Sequence, residues 1–157
     1  MKITLLTVGK TADKDIDYLV GRYKSRLKHY VKFDERVVVD LKTTRSLSKI
    51  QQKEMEGNLI LNALPDNATV ILLEERGKEY SSLGFAQFLD SHQLKGTKEL
   101  IFIVGGPYGF SEKVYDRAND KISFSRMTLT HEMIRLFFTE QVYRAFTIIR
   151  GEKYHHE

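Results

Sequence analysis

The 157 residues contain no cysteine, which excludes disulfides, thiolate nucleophiles and thiolate metal ligands, so any chemistry must come from other groups. No uninterrupted apolar run approaches the roughly 20 residues needed to span a bilayer. The opening Met1-Lys2-Ile3-Thr4-Leu5-Leu6-Thr7-Val8 is too short for a secretory signal and lacks a cleavage-site pattern, so a cytoplasmic protein with no membrane partner is expected. Neither the G-x-G-x-x-G spacing of a dinucleotide fold nor the G-x-x-x-x-G-K-[ST] of a P-loop occurs in the chain's glycine loop. The adjacent pair His155-His156, even with Glu157, lacks the further ligands of a metal site, so no metal is expected. Internal repeats, linkers and low-complexity tracts are also absent. Only two prolines occur, and both fall in turns: Pro65-Asp66-Asn67 stops a helix, and Pro107 stiffens a glycine loop.

What is present describes one domain over residues 1–157, since 41% apolar and 29% charged residues suit a chain able to bury a sizeable core. The formal charge of +4 is a mild excess compatible with a polyanionic partner. Its distribution says more. Arg22, Lys24, Arg26, Lys28 and Lys32 crowd one segment, Lys42, Arg45, Lys49 and Lys53 follow, and Arg135, Arg144, Arg150 and Lys153 mark the other end. Each cluster suits phosphates, and each equally suits a solvated helix face.

Hydrophobic periodicity alternates strand and helix along the chain. Strands are expected at Lys2 to Val8, Phe33 to Leu41, Thr69 to Glu74, Lys98 to Val104 and Lys121 to Ser125. Helices are expected from about Asp13 to Tyr30, from Ser48 to Leu64, after Ser81 or Ser82, over Glu112 to Ala118 and from His131 to Arg150. Arg76-Gly77-Lys78 reads as punctuation at the end of the third strand. The alternation implies an α/β fold with a mostly parallel sheet of five to six strands and helices on both faces. The last helix, with Leu136, Phe137, Phe138, Val142, Tyr143 and Phe146, carries more apolar surface than one stripe needs, which points to a dimer.

The chain is organised around Ile101 to Thr130. The buried run Ile101-Phe102-Ile103-Val104 ends abruptly in Gly105-Gly106-Pro107-Tyr108-Gly109, at the carboxyl edge where open α/β sheets bind ligands. Gly105 and Gly106 are expected to take backbone angles closed to other residues and to admit a ligand to the main chain. An ordinary strand-to-helix turn explains the isolated triplet equally well.

This loop, the following Ser123-Phe124-Ser125-Arg126-Met127-Thr128-Leu129-Thr130-His131 and the tail Tyr154-His155-His156-Glu157 resemble the RlmH family of trefoil-knotted (SPOUT) methyltransferases, over the whole chain. The resemblance implies a C-terminal trefoil knot and a homodimer that uses S-adenosylmethionine to methylate N3 of a pseudouridine in bacterial 23S rRNA, with the assembled ribosome as partner. Carried over position by position, it puts the cofactor against Leu73, Gly105, Phe124, Ser125, Arg126, Met127, Thr128 and Leu129, with Gly105 leaving room for the ribose. His131, just past this loop, suits substrate orientation or removal of the N3 proton, although a capping or core histidine is the plain alternative. Arg135 follows one turn later, and Tyr154 and His155 in the tail are candidates for stacking on a base, gripping phosphate or moving a proton, in the partner's pocket. Glu132 stands where members often have proline, and His156 where they often have arginine. Rival readings are a knotted methyltransferase acting on another RNA such as tRNA, and a catalytically silent RNA-binding module.

Overall fold

A computed structural model describes residues 1–38 and 46–156; Val39 to Leu41 of the expected second strand, Lys42 and Arg45 of the basic loop, and Glu157 lie outside the described residues. The elements are β1 (Lys2–Val8), α1 (Lys14–Leu27), β2 (Lys32–Val38), α2 (Lys49–Asn62), β3 (Thr69–Glu79), α3 (Ser82–Leu94), β4 (Glu99–Val104), α4 (Glu112–Arg117), β5 (Asp120–Ser123) and α5 (His131–Ile149). The five strands form one sheet in the order β2-β1-β4-β3-β5. Every pairing is parallel.

Burial on both faces explains why β1 and β4 read as continuous apolar runs. On one face Ile3, Leu5, Phe102 and Ile71 pack with Leu27 of α1, Phe85 and Leu89 of α3, and Phe138 and Val142 of α5. On the other, Leu6, Leu72, Ile101 and Ile103 pack with Ile60 of α2 and Val114 of α4. Short polar residues start the helices. Asp13 accepts from the amides of Asp15 and Ile16, Ser48 and Gln51 form a reciprocal capping box, and Thr130 accepts from the amide of Met133. Ser111 precedes α4 without making a side-chain cap.

The third strand departs from the sequence expectation. It does not stop at Glu74 but runs on to Glu79. Leu73 and Lys78 both register with Ile122, so residues 74–77 carry the chain across β5, and two stretches of β3 flank it. Gly77 sits at this crossing, where an added Cβ would stand 2.6 Å from the backbone nitrogen of Ile122. The glycine that reads as a terminator marks a close backbone approach instead.

Helix α5 packs against both α1 and α3. Phe138 is fully buried, its ring 4.7 Å from that of Phe102, whereas its neighbour Phe137 is 39% exposed. Met133, one turn before Phe137, is also exposed, so an apolar strip of α5 faces outward. Among the described residues no helix is long and apolar enough to cross a membrane.

Candidate active site

A cavity of about 780 Å³ opens at the carboxyl edge of the sheet. Its walls come from residues 73–76 of β3, residues 105–110 of the loop after β4, residues 124, 125 and 127–130 of the loop after β5, and the first turn of α5 (His131, Ile134). The volume lies in the range of small-molecule pockets. Phe124 is set by three rings, those of Phe85, Phe137 and Phe138, with centroids 5.3, 5.6 and 5.9 Å away.

The glycine loop is shaped by space more than by backbone angle. Positive φ occurs here only at Gly109, whose amide donates to the Gly106 carbonyl at 3.1 Å. Gly105 and Gly106 keep ordinary φ values, contrary to expectation. An added Cβ on Gly105 would stand 2.9 Å from Cε1 of Phe110, so the room beside this glycine is filled by the Phe110 ring. An added Cβ on Gly106 would run into the Glu56 carboxylate of α2.

The loop after β5 is braced internally. Ser123 Oγ donates to the Ser125 carbonyl at 3.0 Å, and the Met127 amide donates to Ser125 Oγ at 2.9 Å. Leu73, Gly105, Phe124, Ser125, Met127, Thr128 and Leu129 all line the cavity. Arg126 does not; its side chain is 84% exposed and pairs with Glu79 at 3.1 Å.

The four residues singled out for chemistry separate. His131 lines the cavity. Arg135 is buried outside it, donating to the Gly9 carbonyl and Thr11 Oγ1, and so fixes the loop between β1 and α1. Burial holds its pKa below the usual arginine value. Glu132 holds the same loop, accepting from the amides of Ala12 and Asp13 at 2.7 and 3.0 Å. Tyr154 lies along α5: its hydroxyl donates to Glu140 at 3.1 Å and its ring meets Tyr143 at 4.8 Å. His155 Nδ1 is 3.4 Å from Arg144, whose guanidinium also lies 4.8 Å from the centroid of the Tyr154 ring. At 1.5 Å per residue, Glu140 stands about 13 Å beyond His131 along the helix. The tail therefore rests away from the cavity of its own chain.

Two cavity groups escape a reading of the sequence. Tyr115 donates its hydroxyl to Glu74 at 2.6 Å, and both line the cavity. Burial and the Glu74 carboxylate push the Tyr115 pKa up to about 12, so it stays a donor at neutral pH and orients Glu74. Glu74 directly follows Leu73 at the sheet edge, which was a readable signal; nothing in the sequence marks Tyr115. Apolar walls, free loop backbone and carboxylates suit a ligand combining a flat base, hydroxyls and positive charge. Among the described residues there is no group of three or more histidines and carboxylates placed to hold a metal ion.

The "Predicted SPOUT methyltransferase" family model matches residues 1–155. The "Ribosomal RNA large subunit methyltransferase H" of Christiangramia forsetii is 51% identical over 156 residues, covering 99% of each chain. Proteins of the same name from Bacteroides thetaiotaomicron and Flavobacterium johnsoniae are 52% and 49% identical over 157 residues, covering all of both chains. A match of this extent, over a chain whose cavity is built from the segments that the resemblance singles out, leaves one assignment: the chain belongs to the SPOUT family of S-adenosylmethionine-dependent methyltransferases.

Proposed function

We propose that this methyltransferase modifies large-subunit ribosomal RNA, placing a methyl group on N3 of a pseudouridine in 23S rRNA, as a cytoplasmic homodimer with residues 1–157 as one catalytic domain. The observation that carries the reading is end-to-end identity of about half the chain with rRNA large subunit methyltransferases; the cavity at the carboxyl edge gives the reaction a place. The family's trefoil knot belongs to the proposal, supported by the passage of β3 from one edge of β5 to the other.

S-adenosylmethionine supplies an electrophilic sulfonium methyl group when bound. Leu73, Phe124 and Leu129 would wall the base away from water, and the main chain of the glycine loop would offer it hydrogen bonds. His131 stands at the cavity wall where the pseudouridine ring would enter, placed to take the N3 proton; the methyl carbon would bond to that nitrogen as its bond to sulfur breaks, the electron pair staying on sulfur as the neutral thioether. Orientation of the two reactants provides the rest of the acceleration. The basic residues at the chain's ends, Arg22 and Lys153 among them, hold rRNA phosphates in a salt-dependent way.

The resting place of the tail supports a site shared between subunits. Tyr154 and His155 are held far from their own His131, so a cavity that they complete would be that of a second copy. The outward strip of Met133 and Phe137 gives that copy an apolar surface to cover. Mass spectrometry of nucleosides from 23S rRNA or ribosomes treated with enzyme and donor tests the function. Methylation is expected at N3 of a pseudouridine, and a methyl group on any other nucleoside overturns the assignment. Deleting residues 154–157 is expected to abolish that product while donor binding persists.

A further inference from the structure

Among the described residues Glu56, on α2, is the one fully buried carboxylate, 2% exposed. Its Oε1 accepts from Gln52 Nε2 at 2.8 Å. Its Oε2 has no partner among the described residues. A carboxylate held out of water with an unused oxygen opposes folding, so its presence asks for another cause.

What Oε2 meets is the glycine loop. It occupies the space that a Cβ on Gly106 would need, and Gly106 lines the cavity from the other side. The same face of α2 grips the loop at a further point, where Lys49 Nζ lies 5.7 Å from the centroid of the Tyr108 ring; beside that face, Gly57 lets the helix close onto Ser111 at the loop's end. Positions 49, 52 and 56 share one helical face by their spacing of three and four.

We propose that Glu56 is a positioning residue for the methyl donor, acting through Gly106 on the wall of the cavity; this rests on the reading of that cavity as the donor site. A carboxylate can only accept hydrogen bonds. With Oε1 fixed by Gln52, its free oxygen disfavours any loop conformation that turns a carbonyl towards α2. Gly106 is glycine because the carboxylate fills the place of its side chain. The pair sets the depth of the wall without touching the ligand.

The test uses the full chain and measures donor affinity by calorimetry with S-adenosylmethionine, together with KM for 23S rRNA and the thermal midpoint. Glu56→Gln keeps the side-chain volume and carries the test if Glu56→Ala fails to fold. Glu56→Gln and Gly106→Ala are each expected to weaken donor binding roughly tenfold or more. KM for RNA should stay within about twofold, because only the donor wall is disturbed. Gly106→Ala combined with Glu56→Ala should bind no worse than the weaker single variant, because the added methyl group then enters the space the carboxylate left. Donor binding equal to wild type in both single variants, or an equal loss of RNA affinity, overturns the inference while leaving the functional reading intact. A wild-type chain that takes no donor overturns both.

Discussion

The two ends of the parallel sheet are built to different rules. At the amino edge a cluster of charges is matched: Lys2 Nζ lies 3.1 Å from both Asp34 and Glu99, Arg36 reaches Glu99 at 2.9 Å, and Thr4 donates to Glu99 at 2.8 Å. At the carboxyl edge the chain leaves a cavity of about 780 Å³ and groups that lack partners. The buried side-chain atoms without a hydrogen bond among the described residues are Thr7 Oγ1, Glu56 Oε2 and Arg135 Nε. Thr7 is the next-to-last residue of β1, Glu56 backs Gly106, and Arg135 holds Gly9, so all three gather at that edge. One edge is satisfied for stability; the other tolerates unsatisfied groups where a ligand is to be held.

The largest expected effect breaks the carboxyl edge altogether. Gly77→Val forces a branched side chain into the crossing of β3 over β5, where the nearest atoms are backbone and cannot turn aside. A cost of about 3 kcal/mol or more is expected, enough to unfold a chain of ordinary stability. Urea unfolding followed by circular dichroism measures it. A variant as stable as the parent would mean that β5 is not flanked as described.

That crossing also shows where the sequence stops being legible. Strands and helices could be read because burial on two faces imposes apolar runs on β1 and β4, and one-sided burial imposes helical spacing on α1. Gly77 could not be read, since a glycine between charged residues looks alike in a turn and at a close approach of two strands. Phe137 and Phe138 are chemically identical neighbours, and only the rotation of α5 decides which faces the sheet. For the site, the strand end at Gly105 was readable from the residues, whereas Leu73 and Phe124 to Leu129 came from the family resemblance. Glu56 was not, because on a segment reading Gln51-Gln52-Lys53-Glu54-Met55-Glu56 it resembles any solvated charge. Arg135 reads as a cleft residue one turn after His131, yet the loop after β1 claims it.

A narrower break at the carboxyl edge is Gly105→Val. The new Cβ would press on the Phe110 ring, itself almost buried, and move the loop that walls the cavity. Overpacking of this kind costs on the order of 1–3 kcal/mol, here drawn from ligand binding as much as from folding. Donor affinity is expected to fall by roughly tenfold or more while the far-ultraviolet spectrum is retained. Unchanged affinity in calorimetry would remove Gly105 from the site.

The smallest effect sharpens the comparison from the amino edge. Burial alone would raise the pKa of Glu99, but hydrogen bonds from Thr4 and Lys2 and the charges of Lys2 and Arg36 hold it below the usual glutamate range. A carboxylate whose folded value is depressed binds protons more readily when unfolded. Its contribution is therefore complete above roughly pH 4.3 and is lost as the pH falls through the lower folded value. Asp34, also held low despite burial by Lys2 and Arg36, acts in the same direction. Glu99→Gln should thus cost about 1 kcal/mol at neutral pH, as expected for a partly exposed charge cluster, and should flatten the fall in stability below pH 4. Methyl transfer at neutral pH should not change, because the length of β4 puts Glu99 about 16 Å from Val104 at the cavity, at roughly 3.3 Å per residue. Unfolding curves across pH for parent and variant, with donor affinity measured on the same samples, decide it: a steep acid transition that survives in Glu99→Gln assigns the pH dependence elsewhere, and a weakened donor would show that the two edges are not independent.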